Sequence, residues 1–167
     1  SILNTNGTVA GNVAAACTAI LGANTVVLNV SDGSLNTDGD LSVNVTANSN
    51  PVIGSYGPAS AVFGAGTTVT PNAAPFDNGS IVTLNASAPG FAGTFSGNPT
   101  TGVITVSNAG PVSGTPYLVT VTATDNCNVA VTTTFNLTVT AANTAPTITP
   151  AVGLTRQQGT FASTSTI

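Results

Sequence analysis

The chain has no histidine, methionine, tryptophan, lysine or glutamate, and charged residues make up 4% of its 167 positions, against about 25% in an ordinary globular domain. The carboxylates are Asp32, Asp38, Asp40, Asp77 and Asp125, and Arg156 is the one cation. A chain with a formal charge of -4 and no basic patch has nothing to neutralise phosphates with, which argues against nucleic acid as a partner. Paired acids, an activated nucleophile or a metal are what hydrolytic chemistry needs. None occurs here in a recognisable spacing, so the expectation is a protein that is not an enzyme. No apolar run approaches the ~18 residues of a membrane-spanning helix, and no charged segment leads into an apolar one as in a signal peptide. With no initiator methionine, the chain reads as a processed or internal piece of a longer secreted polypeptide.

What the chain does have is hydrophobicity, at 41% of residues, which opposes the low-hydrophobicity, high-charge signature of disorder. A nearly uncharged surface favours association, and so packing against copies of itself or adjacent repeats. The hydrophobic period is two. Val26, Leu28 and Val30 share one face of a strand, and Leu41, Val43 and Val45 alternate with Ser42, Asn44 and Thr46. Tyr117, Val119, Val121 and Ala123 alternate with threonines, as do Phe135, Leu137 and Val139 with Thr134, Asn136, Thr138 and Thr140. Each pair of runs reads as a half-buried antiparallel hairpin. Val13–Cys17 is the only helix-tolerant run and is too short to matter.

The two hairpins repeat each other. Asp32 in "VSDG" corresponds to Asp125 in "ATDN" at an offset of 93 residues, and Pro51 in "TANSNPVI" to Pro146 in "TAANTAPTI" at 95. This is the size of one seven-stranded β-sandwich. The reading is all-β, with three segments: residues 1–50 as the C-terminal half of a first sandwich, 51–145 as a complete one, and 146–167 as the opening strands of another.

The segments "VSDG…LSVNVTAN" and "TATDNC…TTFNLTVTAANTAPTITP" resemble the cadherin-like and hyalin-repeat-like immunoglobulin-type domains strung together in giant bacterial surface and secreted proteins. "PTITPAVGLTRQQGT" resembles the opening of a further repeat. The resemblance implies tandem immunoglobulin-like, cadherin-like antiparallel β-sandwich domains and an extracellular, cell-surface or secreted life as stalk, spacer, matrix or filament. Head and tail together fall short of one repeat. Either the tail, with Ile148, Leu154, Arg156 and Phe161, supplies strands to the incomplete head of a second copy, giving a head-to-tail filament, or the sequence is a window on a longer string. The alternatives to a structural role are an adhesin module binding a surface glycan or protein at its loop poles, and an accessory domain of a large secreted enzyme.

In sandwiches joined end to end, the turn before the last strand lies at the near pole, and the connection before the preceding strand at the far pole. Cys127 occupies such a turn and Cys17 such a connection in the segment before it, which predicts a disulfide across the junction; two separate buried thiols are the other reading. Closing it requires Cα atoms within about 7 Å, and two cysteines in a secreted chain fit a disulfide. A catalytic thiol is disfavoured, since no histidine is present to activate it.

"NTDGD" places Asn36, Asp38 and Asp40 at alternate positions, as at the start of a calcium loop, yet the twelfth position is Ala47 rather than a bidentate acid. Asp77 and Asp125 are the other weak calcium candidates, near the pole where cadherin-like modules bind that ion. Turn chemistry explains all four aspartates, so no metal or cofactor is expected. Arg156 reads as a structural partner for carbonyls or a carboxylate. The six phenylalanines read as core.

Overall fold

The computed structural model describes residues 2–5, 8–31, 33–149 and 157–159. Every regular element among them is a β-strand, as the period-two pattern and the scarcity of helix formers dictate. β1 (Ile2–Thr5) and β2 (Thr8–Gly11) form a short antiparallel pair. β3 (Gly22–Ser31) and β4 (Asn36–Val45) form a longer one, paired over all ten residues of each strand.

Seven more strands follow: β5 (Ala59–Val62), β6 (Thr67–Val69), β7 (Ile81–Ser87), β8 (Thr94–Gly97), β9 (Ile104–Ser107), β10 (Tyr117–Asp125) and β11 (Ala130–Thr140). They make a four-stranded sheet, ordered β5-β11-β10-β7, and a three-stranded sheet, ordered β6-β9-β8. All neighbours run antiparallel except β5, which lies parallel to β11 with Leu137 opposite Ala59 and Val139 opposite Ala61.

One core joins the two sheets. β9 contributes Ile104 and Val106, β10 contributes Val119, Val121 and Ala123, and β11 contributes Leu137, all without solvent exposure. Val69 of β6 and Leu84 of β7 complete it. Alternate residues turn inward because successive side chains of a strand leave on opposite faces, and burying each large aliphatic one is worth about 1.5–3 kcal/mol. The buried tyrosines keep their hydroxyls satisfied: Tyr56 donates to the Gly102 carbonyl at 2.6 Å and Tyr117 to the Pro111 carbonyl at 2.7 Å. Where β8 approaches β7, Gly97 is required, because a Cβ there would collide with the Leu84 carbonyl oxygen.

The aromatic residues depart from the all-core expectation. Phe135 is buried and Phe91 and Phe95 stack with centroids 4.6 Å apart, but Phe63 and Phe76 are 53% and 68% exposed. Phe76 exchanges both main-chain hydrogen bonds with Val52, so its position is fixed by backbone pairing while the ring points out. Phe63 lies over Gly110, whose missing side chain leaves room for the ring edge. Phe161 lies outside the described residues.

The β3–β4 hairpin differs from its sequence counterpart β10–β11. Among the described residues, no other strand packs along it. The half-buried state read from its alternation is reached at Val43 and Val45, whereas Val26, Leu28, Val30 and Leu41 are 37%, 44%, 49% and 37% exposed.

Candidate functional site

Two features stand out: the junction that ties the hairpin to the seven-stranded unit, and the hairpin's apolar face. The junction is built on the turn between β10 and β11. Asp125 is the last inward residue of β10 and is fully buried. Its Oδ1 accepts the Cys127 and Val129 amides, each at 2.8 Å, and its own amide donates to the Val129 carbonyl. Asn128 takes the left-handed conformation (φ 64°) that the turn requires, one that asparagine tolerates. Asn126 is held from the other side, donating its amide to the Ser80 carbonyl and accepting the Ser80 amide on Oδ1. The turn therefore presents Cys127 from a fixed frame.

Cys17, in the connection that precedes β3, is bonded to Cys127 with Cα atoms 5.5 Å apart. The segment after β4 is tied to the same pole. Asn48 donates its side-chain amide to Asp125 Oδ2 at 2.7 Å, and Ser49 donates its hydroxyl to Asp77 Oδ1 at 3.3 Å. Asn78 accepts the Ser49 amide and donates back to the Ala47 carbonyl. Asp77 Oδ2 accepts the Gly79 amide. A cleft of about 160 Å³ lies beside the disulfide, bordered by Ala15, Leu21, Val45 and Asn126. Hydrogen bonding from Asn48, reinforced by the Val129 and Cys127 amides, holds the Asp125 carboxyl below its ordinary pKa against the upward push of burial.

The four aspartates considered for calcium fall into two groups. Asp77 and Asp125 belong to the junction, where main-chain and side-chain donors occupy their oxygens. Asp38 and Asp40 lie on the polar face of the hairpin, Asp38 accepting from Asn29 directly opposite it at 2.5 Å. Among the described residues, no three carboxylates, cysteines or histidines gather into a group able to hold a metal ion. Asn48, Ser49 and Asn78 escaped the sequence reading. The only signal of them is the Asn- and Ser-rich "TANSNP" (Thr46 to Pro51), which reads as a plain linker because its partners lie 28 to 77 residues away.

The register of the hairpin gathers most of its large aliphatic side chains on one face, with Val27 on the other. Val26 faces Leu41, Asn24 faces Val43 and Gly22 faces Val45. Val26, Leu28, Val30, Leu41, Val43 and Val45 therefore share one face, while Ser42, Asn44, Asp38 and Asp40 lie on the other. Among the described residues, each strand of the pair also has one edge with no strand partner. In the tail, Ile148 is 78% exposed; Leu154, Arg156 and Phe161 lie outside the described residues. Gln158 and Gly159 form a turn, with Gly159 at φ 86°. The sequence matches no protein-family model and no curated protein.

Proposed function

We propose that this chain is a non-enzymatic extracellular structural protein, a subunit or repeat segment of a filament, stalk or matrix, built from immunoglobulin-like, cadherin-like β-sandwiches in series. The observation that carries this reading is the apolar face of β3–β4, on which no described strand packs, beside the same strand pattern, β10–β11, inside a complete core. A two-stranded hairpin is marginal in water by itself, and a contiguous apolar face with open strand edges is the usual mark of a surface that associates. A second copy, or an adjacent repeat, is the partner that fits, because the missing strands are of the kind the chain itself carries.

The domain type is supported by the topology: a β6-β9-β8 sheet against β5-β11-β10-β7, with the first strand parallel to the last. Tyr117, at the start of β10, bonds back to the carbonyl of Pro111, as the tyrosine corner of such sandwiches does. An extracellular setting is supported by the Cys17–Cys127 disulfide, since such bonds persist in oxidising compartments. Mechanically, the disulfide and the Asn48–Asp125 and Ser49–Asp77 hydrogen bonds make a stiff junction that transmits load between successive modules.

Electron microscopy of the purified full chain across a concentration series tests the reading. The expected result is fibres with a regular axial repeat above a threshold concentration. Monomers at every concentration, confirmed by sedimentation, would refute the assembly of this chain into filaments.

A further inference from the structure

We infer that Asn78 is a chemical latch on the junction: when the linker 46–50 lifts away, the Asn78 side chain cyclises onto the Gly79 nitrogen and deamidates, and that conversion keeps the linker from seating again. The inference goes beyond the structural role above and holds for a single chain, whether or not copies assemble.

Asn78–Gly79 is one of two Asn–Gly pairs in the chain; the other, Asn6–Gly7, falls partly outside the described residues. Glycine carries no side chain to obstruct its amide nitrogen, the condition under which a preceding asparagine cyclises most readily. Packing at the junction fixes both members of the pair. A Cβ at Gly79 would collide with Asn126 Oδ1. Asn78 spans the linker with both ends of its amide, accepting the Ser49 N–H at 3.1 Å and donating to the Ala47 carbonyl at 2.9 Å. A short side chain that offers an acceptor and a donor together is an asparagine, so the reactive pair is a consequence of how the junction closes.

Cyclisation joins Gly79 N to Asn78 Cγ and breaks the Cγ–Nδ2 bond, and the proton lost from Gly79 N leaves with the departing nitrogen as ammonia. Water then opens the ring at either carbonyl, which leaves aspartate or isoaspartate. While both ends of the Asn78 amide are bonded to the linker, Cγ is not free to move onto the nitrogen. Gly79 N–H donates to Asp77 Oδ2 at 2.8 Å, so a carboxylate already meets the proton that must leave, within the reach of a general base. Asp77 Oδ1 accepts the Ser49 hydroxyl, a bond that goes with the linker; the bond to Gly79 lies within the bend itself and stays. Opening therefore frees the electrophile and leaves the base in place. Asn78 and Gly79 are exposed, so water reaches the ring. Aspartate at this position has no hydrogen to give the Ala47 carbonyl and brings a second carboxylate beside Asp77, and isoaspartate lengthens the main chain next to Gly79, where Asn126 leaves no room even for a Cβ.

Three samples test the latch in mildly alkaline buffer: the full chain, the full chain bearing Cys17→Ser, Cys127→Ser, Asn48→Ala and Ser49→Ala, and a synthetic peptide of residues 74–83. Amide loss at Asn78 is followed by peptide mass mapping, and hydrogen exchange of the residue-49 amide in the two proteins gives the fraction of time the clamp is open. Conversion in the unsubstituted chain is expected to be slower than in the peptide by about tenfold or more, and in each protein to be slowed to the same degree as residue-49 exchange. Conversion at the peptide's rate in the unsubstituted chain, or conversion that does not follow exchange from one protein to the other, would overturn the inference. Asn78→Asp reads the consequence of the reaction. Protease cleavage within 46–50 is expected to speed several-fold in that variant, and unchanged cleavage would show that conversion does not hold the junction open and so overturn the latch.

Discussion

The side-chain amide of Asn48 reaches Oδ2 of Asp125 over 2.7 Å, joining the segment after β4 to the innermost position of the β10–β11 turn. The same carboxylate orders the turn that carries Cys127, so one buried acid serves both a hydrogen-bonded link and the covalent link of the junction. Its hydrogen bonds lower its pKa in the folded state, and a lowered carboxylate contributes stability that is present above the unfolded-state pKa and lost as pH falls through the folded one.

The junction should therefore loosen in acid. Thermal melts from pH 7 downward are expected to hold level until the ordinary aspartate range, near pH 4, and then to fall. Asp125→Asn should lower the melting temperature at neutral pH, because an amide cannot accept on both sides of the turn, and should flatten the acid limb. An unchanged acid limb in that variant would assign the pH dependence elsewhere.

Cleavage of the disulfide should act on the junction rather than on the core. A loop of about 100 residues corresponds to about 4–5 kcal/mol in the chain-entropy model, but Cys17 lies outside β5–β11, so the core does not require this closure to fold. Replacing Cys17 and Cys127 by serine is expected to leave the main urea transition within about 1 kcal/mol. Proteolysis of the segment 12–21 should accelerate several-fold.

Core and open face should respond differently to the same kind of truncation. Leu137→Ala, at a site with no exposure, is expected to cost about 2–5 kcal/mol. In dilute monomer Val26→Ala should cost no more than about 0.5 kcal/mol, since its side chain is already 37% exposed. It should nevertheless raise the concentration needed for assembly. Denaturation of monomer alongside a pelleting assay separates the two effects.

Tyr117→Phe removes the hydroxyl that meets the Pro111 carbonyl while keeping the ring against Phe91. The expected loss is about 0.5–1.5 kcal/mol, read from urea denaturation.

The long strands were legible because alternation over nine or more residues leaves only one reading, as in β10, where Tyr117, Val119, Val121 and Ala123 all turn inward. β1, β2, β6, β8 and β9 span three or four residues each, too few for a period to declare itself. The cysteine pair was legible from where turns fall in serial sandwiches. Asn48 and Ser49 were not, because a hydrogen bond between residues 77 apart leaves no local trace. The exposure of Phe63 and Phe76 was equally hidden. It follows from a neighbouring glycine and a main-chain bridge rather than from hydropathy.

Amide hydrogen exchange on β3 and β4, measured in dilute monomer and in assembled material, tests most directly whether the open hairpin is completed by a neighbour. The account predicts that Val26–Val30 and Leu41–Val45 exchange quickly in the monomer and slow in the assembly toward the rates of Val119–Ala123. Equal, fast exchange of the hairpin in both states, with β10 and β11 protected throughout, would contradict it.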